Sequence, residues 1–445
     1  MREKLCQALN EISDHHIAEA AAAKRRPYWL GALAAAVALI ILIMTVTGPM
    51  SLNVTAISEA AYPQALDYQE RNALQVNTEE LEDFFATSTA QLLSGTSQNR
   101  ICSPVNIYMA LAMLAETTSG NSRQQILDLL GAADTQDLQT HANSIWKAVH
   151  QDDGHTVRLL ANSLWLDDTV TYDKAALDSL AENYYASSYQ GDLSSTAATR
   201  ALQKWLNEQT GNLLKKYTRQ EQFSAQTVLS LASTVYFRAK WSEPFSSRNN
   251  TESTFHGTDG DTQCTFMHKQ EYQTTYYWGD HFGAVALPLE SGSRMWLILP
   301  DADASVDSVL AGSQLTQLLS NDYEYENSSY LRVNLSVPKF DVGSQTDLRS
   351  DLQDMGVTDI FDPSVSDFSA ALPESSGIAL GKISHTARVA IDEEGVTAAA
   401  YTLEDACGAT MPPDEVIDFV LDRPFLFVIT TYDNLPLFAG VINNP

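Results

Sequence analysis

The chain has 445 residues, 44% of them apolar, which is enough for one large core, although length alone also allows two or three domains. Its formal charge of −29, from 27 basic and 56 acidic residues, opposes nucleic acid or heparin-like partners, because polyanions require clustered Lys and Arg. Residues 1–71 hold 6 basic and 7 acidic residues, a charge of −1, so −28 lies beyond them, where self-repulsion favours solubility.

From Pro27 to Ser58 no residue is charged, and Trp29 to Val46 is an almost unbroken apolar run of 18. As a helix this run is about 27 Å long, enough to span a bilayer. It predicts a signal anchor, with a transmembrane helix over residues 27–49. Lys24, Arg25 and Arg26 precede the run and Arg71 is the single basic residue from 47 to 75, so the positive-inside rule puts residues 1–26 in the cytoplasm and the rest outside. The alternative is a cleaved signal peptide, whose apolar region is usually about 7 to 15 residues, and it would leave a secreted product. Residues 50–75 read as a polar, irregular extracytoplasmic linker, and residues 76–445 as the folded domain.

Leu81, Phe84, Phe85 and Leu92 recur at helical spacing after Thr78, an N-cap candidate with Glu79 and Glu80 in the first turn. Helical patterns continue over about 104–117, 121–130, 135–150, 173–184 and 195–215. Strand-like runs lie near 156–166, 227–237, 284–289, 294–299, 330–337 and 385–391. Helices dominate early and strands late, without regular alternation, which predicts an α+β fold. Cys6 falls on the inner side; Cys102, Cys264 and Cys407 are outside, cannot all pair within one chain, and show no CxxC spacing for zinc. No GxSxG elbow or HExxH motif occurs, and Gly377 to Lys382 is one residue short of a phosphate loop. These absences lead us to expect no enzyme, no metal and no cofactor.

Positive signals run through residues 78–445. They include Ile101-Cys102-Ser103-Pro104-Val105-Asn106-Ile107 before an apolar helix, Ala161-Asn162-Ser163-Leu164-Trp165, and Lys204-Trp205 with Glu208, Thr210 and Gly211. Val235-Tyr236-Phe237 with Lys240-Trp241 and Pro244-Phe245, Ala284 to Pro300, and Leu421 to Pro445 follow in order. Together they resemble the serpin family. The resemblance implies the serpin fold, about eight or nine helices around three β-sheets with an exposed reactive-centre loop.

Asp392-Glu393-Glu394-Gly395-Val396-Thr397-Ala398-Ala399-Ala400-Tyr401-Thr402 resembles the hinge of that loop, with Glu393 to Ala400 as its hinge residues. As a strand, the tract places Val396, Ala398, Ala400 and Thr402 on one face, none charged or large, which suits insertion into a sheet. The resemblance implies a suicide inhibitor of serine proteases: the protease cuts the loop, and loop insertion traps the acyl-enzyme. About seventeen residues from Glu393 in the family register puts the reactive bond between Ala409 and Thr410, whereas counting back from Pro424 points near Pro413; Thr410 and Met411 are alternatives. An alanine at the cut fits an elastase-like or subtilisin-like protease.

Ser103, Asn106, Ser233, His385, Trp241 and Lys339 match the region where the family's sheet opens. The family usually has Ser at the Asn106 position and Asn at the Ser233 position, so the two types look exchanged. If Asn106, Ser233 and His385 meet beneath the sheet, the same donors and acceptors stay paired; the alternative is that Asn106 simply caps the helix. The resemblance also implies that Lys339 pairs with Glu393 near Trp241. The partners implied are a target serine protease and, through the N-terminal helix, a membrane, with the protein otherwise a monomer. The alternative is a non-inhibitory serpin-fold binding or structural protein at the cell surface.

Overall fold

A serine and a proline set the start of the central helix. The Ser103 hydroxyl accepts a hydrogen bond from the Asn106 amide, and Pro104 occupies the first turn, where no helical donor is lost. The helix that follows is apolar on every side, and 13 of its 14 residues are buried, which makes it the spine of the domain.

The structure, a computed structural model, describes residues 54–62, 81–152, 156–320, 324–374, 376–381, 383–396 and 415–445. In chain order they first form β1 (Val54–Ser58), α1 (Glu82–Leu93), β2 (Arg100–Cys102), α2 (Pro104–Thr117), α3 (Gly120–Leu130) and α4 (Thr135–Val149). Then come β3 (Gln151–Asp152), β4 (Val157–Asp167), α5 (Lys174–Asn183), β5 (Ala186–Gly191), α6 (Thr196–Gln209) and α7 (Lys215–Thr218). Next are β6 (Leu229–Lys240), β7 (Thr251–Gly257), β8 (Gly260–Trp278), β9 (Phe282–Pro288), β10 (Arg294–Pro300), α8 (Val306–Leu310) and α9 (Ser313–Ser320). The chain closes with β11 (Ser328–Pro338), β12 (Phe340–Asp347), α10 (Arg349–Asp354), β13 (Ser384–Ile391), β14 (Gly395–Val396), β15 (Val416–Val420), β16 (Phe425–Thr430) and β17 (Pro436–Ile442).

Local chemistry explains several of the helix starts. Asp134, Asp173 and Ser195 cap α4, α5 and α6 by accepting first-turn amides. The helical pattern over 195–215 ends at Gln209, because Gly211 and Asn212 turn into the left-handed region at φ of 55° and 65°. Helix α1 begins at Glu82, and the Thr78 cap lies outside the described residues.

Two sheets carry the strands. The main one has the order β1-β5-β4-β6-β14-β13-β12, with β3 on β4. The second has the order β15-β11-β8-β9-β10-β16-β17-β2, with β7 on β8. Three sheets were expected; among the described residues the second and third join, because the 19-residue β8 pairs with β7, β11 and β9 in turn. One continuous buried core, from Leu81 to Ile442, fills the space between sheets and helices.

The expected irregular linker over residues 50–75 is corrected at its start. Val54 to Ser58 add an antiparallel edge strand to the main sheet, with Val54 opposite Gly191 and Ser58 opposite Ser188. The folded unit therefore begins well before residue 76. The segment over residues 27–49, expected as an anchor, lies outside the described residues. Among the described residues no helix is long and apolar enough to cross a membrane.

Candidate functional site

Strands β6 and β13 stand side by side in the main sheet without a shared ladder among the described residues. Among the described residues the only strand between them is the two-residue β14, where Gly395 faces Lys240 and Val396 faces Ala239 on one side and Ile391 on the other. Because β14 is antiparallel to both, β6 and β13 run in the same direction. Among the described residues the sheet therefore has a gap one strand wide, with its entrance at Gly395.

The residues at that entrance are fixed by close contact. A Cβ on Gly395 would lie 2.4 Å from the Ala239 oxygen and 2.6 Å from the Lys240 Cα, so only glycine fits. Val396 is 2% exposed, and its apolar side chain leaves no polar group to satisfy.

The acidic turn before Gly395 is stitched to the chain that leaves β6. Asp392 Oδ1 accepts the Glu394 and Gly395 amides at 2.9 and 3.2 Å, closing the turn on itself. Across the gap, Trp241 Nε1 donates to the Asp392 oxygen at 2.9 Å, the Trp241 amide to the Glu394 oxygen at 3.1 Å, and the Phe245 amide to the Glu393 oxygen at 2.9 Å. Glu393 Oε1 accepts from Asn250 Nδ2 at 2.5 Å and lies 2.5 Å from Lys339 Nζ. Burial pushes the Glu393 carboxyl up, but hydrogen bonds from Lys339 and Asn250, together with the Lys339 charge, outweigh it and hold the carboxyl below its ordinary value. The Lys339 side chain is a third exposed, so solvent screening limits the pair to about 0–1 kcal/mol.

Further down the gap the arrangement differs from a shared cluster of Asn106, Ser233 and His385. Ser233 on β6 and His385 on β13 each lie six residues below the row of Val396, hence at the same depth on opposite walls. Asn106, Ser233 and His385 share no hydrogen bond with one another among the described residues. Ser233 Oγ donates instead to Asn162 Oδ1 at 2.7 Å, because antiparallel pairing of β4 and β6 sets these residues opposite each other. Asn162 in turn donates to the Tyr184 oxygen at 2.7 Å. His385 Nε2 accepts the Ser103 amide at 3.0 Å, and the contribution of Asn106 here is its amide, which caps on Ser103 Oγ at 3.4 Å. Burial, aided by the Arg100 charge, pushes the His385 imidazole down to about 4. The ring is therefore neutral at physiological pH, as its acceptor role requires.

Over the outer face, α6 and the segment after it reach from one wall to the other. Arg388 on β13 donates to the Leu213 oxygen at 3.3 Å and pairs with Asp341 at 2.8 and 2.7 Å. Glu221 accepts from Ser384 at 2.5 Å and from Gln345, while its own oxygen accepts from Gln203 on α6 at 2.8 Å. Trp205 anchors α6 as a buried side chain.

Sequence reasoning missed Asn162 and Asn250 as members of this site. Asn162 could have been found only with the β4 to β6 register in hand, and Asn250 sits in a loop without any periodic signal. Thr397, Ala398, Ala399 and Ala400 of the expected hinge, Cys407, and the expected reactive bond at Ala409 and Thr410 lie outside the described residues. Among the described residues Cys102 and Cys264 are free thiols, and no group of three His, Cys, Asp or Glu is set to hold a metal.

The family described as Serpin (serine protease inhibitor) matches residues 80–445. Serpin-ZX of Arabidopsis thaliana is 27% identical over 367 residues, covering 78% of this chain and 93% of its own. The leukocyte elastase inhibitor of Homo sapiens is 27% identical over 356 residues, covering 78% and 93%. Among solved structures, the native state of tengpin, a thermophilic serpin, superposes with a TM-score of 0.75 at 21% identity, over 88% of this chain and all of that one. AtSerpin1 of Arabidopsis in its native stressed conformation gives 0.70 at 24% identity, over 84% and 98%. At these identities the structures speak for the fold alone, while the family match spans most of the sequence: the chain belongs to the serpin family.

Proposed function

We propose that this serpin is a suicide inhibitor of serine proteases of elastase or subtilisin type. The observation that carries the reading is the gap between β6 and β13, entered only by Gly395 and Val396 among the described residues. A sheet with one place left open, and a chain already turned into it, can accept a strand. The face formed by Val396, Ala398, Ala400 and Thr402 is small and uncharged, as such a strand requires. The protease serine attacks the Ala409 carbonyl, the Thr410 amine leaves, and an ester joins the protease to Ala409. Insertion of the freed loop then separates the ester from the groups that would hydrolyse it. Leukocyte elastase inhibitors of pig and human among the relatives support a small-residue target.

The apolar run before residue 47 supports a protein held to a membrane by its N-terminal helix, with the inhibitory domain on the extracytoplasmic side, or secreted if the segment is cut. Incubation with elastase and with subtilisin tests the inhibitory reading. We expect an SDS-resistant covalent complex and a released C-terminal fragment beginning at Thr410. Cleavage without a complex would instead point to a non-inhibitory serpin. Carbonate extraction of the full-length protein tests the anchor separately, since an integral helix stays with the membrane pellet.

A further inference from the structure

Below β14 the facing edges of β6 and β13 share no ladder among the described residues, although two such edges would gain by pairing with each other. What spans them is a compact brace, residues 210–218, between α6 and the chain that leads into β6. Its backbone closes on itself: the Leu213 amide donates to the Thr210 oxygen at 3.0 Å, the Lys215 amide to the Asn212 oxygen at 3.2 Å, and the Tyr217 amide to the Leu214 oxygen at 2.8 Å. Two further bonds tie it to α6, from the Asn212 amide to the Asn207 oxygen at 2.8 Å and from Thr218 Oγ1 to Asn207 Oδ1 at 2.9 Å. Thr210 and Thr218 are buried. A segment bonded in this way moves as one piece.

The brace meets both walls on a single row. Tyr236 on β6 and Arg388 on β13 each lie three residues below the row of Val396, and Gly343 on β12 is paired with Arg388. On the β6 side Gly211 lies against Tyr236, where a Cβ would come 3.1 Å from the ring. On the far side Tyr217 lies against Gly343, where a Cβ would come 2.8 Å from Tyr217 Cζ, so the ring occupies a seat that only glycine leaves free. Between these contacts Arg388 donates to the Leu213 oxygen at 3.3 Å, with its guanidinium fixed by Asp341 on β12. A rigid piece seated at both ends sets the distance between its seats.

We propose that residues 210–218 act as a spacer that holds β6 and β13 a strand's width apart, with Tyr217, Gly343 and Arg388 as positioning residues for strand entry. Closing the walls on each other would bring them about 5 Å nearer. Over that distance the Tyr217 ring loses its seat and Leu213 its bond to Arg388, since a hydrogen bond is lost beyond about 3.5 Å. The contacts therefore favour the width at which they form.

Cysteines at Val235 and Ala387, each four residues below the row of Val396 and on opposite walls, read this width in the full chain. A disulfide needs Cα atoms within about 7 Å, which adjacent strands about 5 Å apart satisfy and walls about 10 Å apart do not. Under mild oxidation, with each single cysteine variant as background, Val235→Cys with Ala387→Cys should close slowly in the otherwise unchanged protein. Adding Tyr217→Ala should raise the initial rate at least about threefold, and Tyr217→Phe, which keeps the ring, should not. Gly343→Ala, which leaves the ring but fills its seat, should act as Tyr217→Ala does. A rate that neither Tyr217→Ala nor Gly343→Ala changes would overturn the spacer.

The consequence for trapping rests on the inhibitory reading. With elastase, Tyr217→Ala should lower the covalent complex formed per molecule cleaved at least about threefold, and Tyr217→Phe should leave it at the parent level. An unchanged ratio beside a raised cross-linking rate would overturn the role in trapping while the spacer stands. A parent protein that is cut without forming complex would fail the inhibitory reading alone, and the cross-link would still decide the spacer.

Discussion

The entrance of the gap and its middle are held in opposite ways. At the entrance, bonds cross from one wall to the other: Trp241 and Phe245, beyond β6, donate to carbonyls of Asp392, Glu393 and Glu394, beyond β13. In the middle, each wall is satisfied on its own side, Ser233 by Asn162 of β4 and His385 by the start of α2. A buried polar group left without a partner costs about 1–3 kcal/mol, so walls that keep their own partners can separate without that penalty. Filling the gap therefore leaves the partners of both walls in the middle intact.

The largest expected effect breaks the entrance itself. Val396→Arg would force a charge into a site that is 2% exposed, and the turn should leave the sheet. In the elastase assay the covalent complex should drop at least about tenfold, with cleavage continuing; undiminished complex formation would separate inhibition from this entrance.

Next comes the middle, through pH. The folded His385 value of about 4 lies below the ordinary value near 6.5, so the unfolded chain binds the extra proton between them. The contribution to stability is complete above about pH 6.5 and is lost as pH falls towards 4, in total roughly 3 kcal/mol. Urea unfolding at pH 7 and pH 4.5 should show this drop, and His385→Gln should flatten it. An equal drop in the variant would assign the acid sensitivity to other groups.

A double-mutant cycle sharpens the claim that each wall keeps its own partner. Ser233→Ala and Asn162→Ala should couple by about 1 kcal/mol, whereas Ser233→Ala and Asn106→Ala should add within about 0.5 kcal/mol. Coupling between Ser233 and Asn106 instead would restore a shared cluster beneath the sheet.

The smallest effect belongs to the exposed stitch. Lys339→Met should cost at most about 1 kcal/mol near neutral pH. Glu393 is held below its ordinary value in the fold, so its contribution is present above the usual carboxylate range and is lost as pH falls through the lower folded value. The variant and the parent should therefore converge in acid, as read from their urea midpoints.

What the sequence revealed follows the range of its signals. Ser103-Pro104 and the apolar run after it announced α2, and the strands near 156–166 and 385–391 were visible because each buries apolar residues on its own. The β7 and β8 pair went unseen, since Thr251 to Trp278 is largely polar and its order comes from partners on β11 and β9. β1 was read as linker because five residues beside an apolar run gain their meaning only from β5, about 130 positions later. The site divides the same way. Glu393, Gly395 and Val396 sit in one local motif, whereas the bond of Ser233 to Asn162 depends on a register between strands 71 residues apart in sequence.

The direction of β1 carries a consequence for traffic along the molecule. Val54 pairs with Gly191, Gly191 lies in register with Asp167, and the neighbouring Leu166 with Leu229, so the chain before Val54 departs from the end of the sheet farthest from Lys240 and Gly395. If the freed loop keeps the register set by Val396 opposite Ala239, Ala409 lies 13 residues on and comes to rest opposite residue 226, just past Leu229. That row lies about 43 Å from the row of Val396 at the usual rise. Under the proposed mechanism, a captured protease would finish at the end of the sheet where Val54 begins β1, far from Lys240 and Gly395.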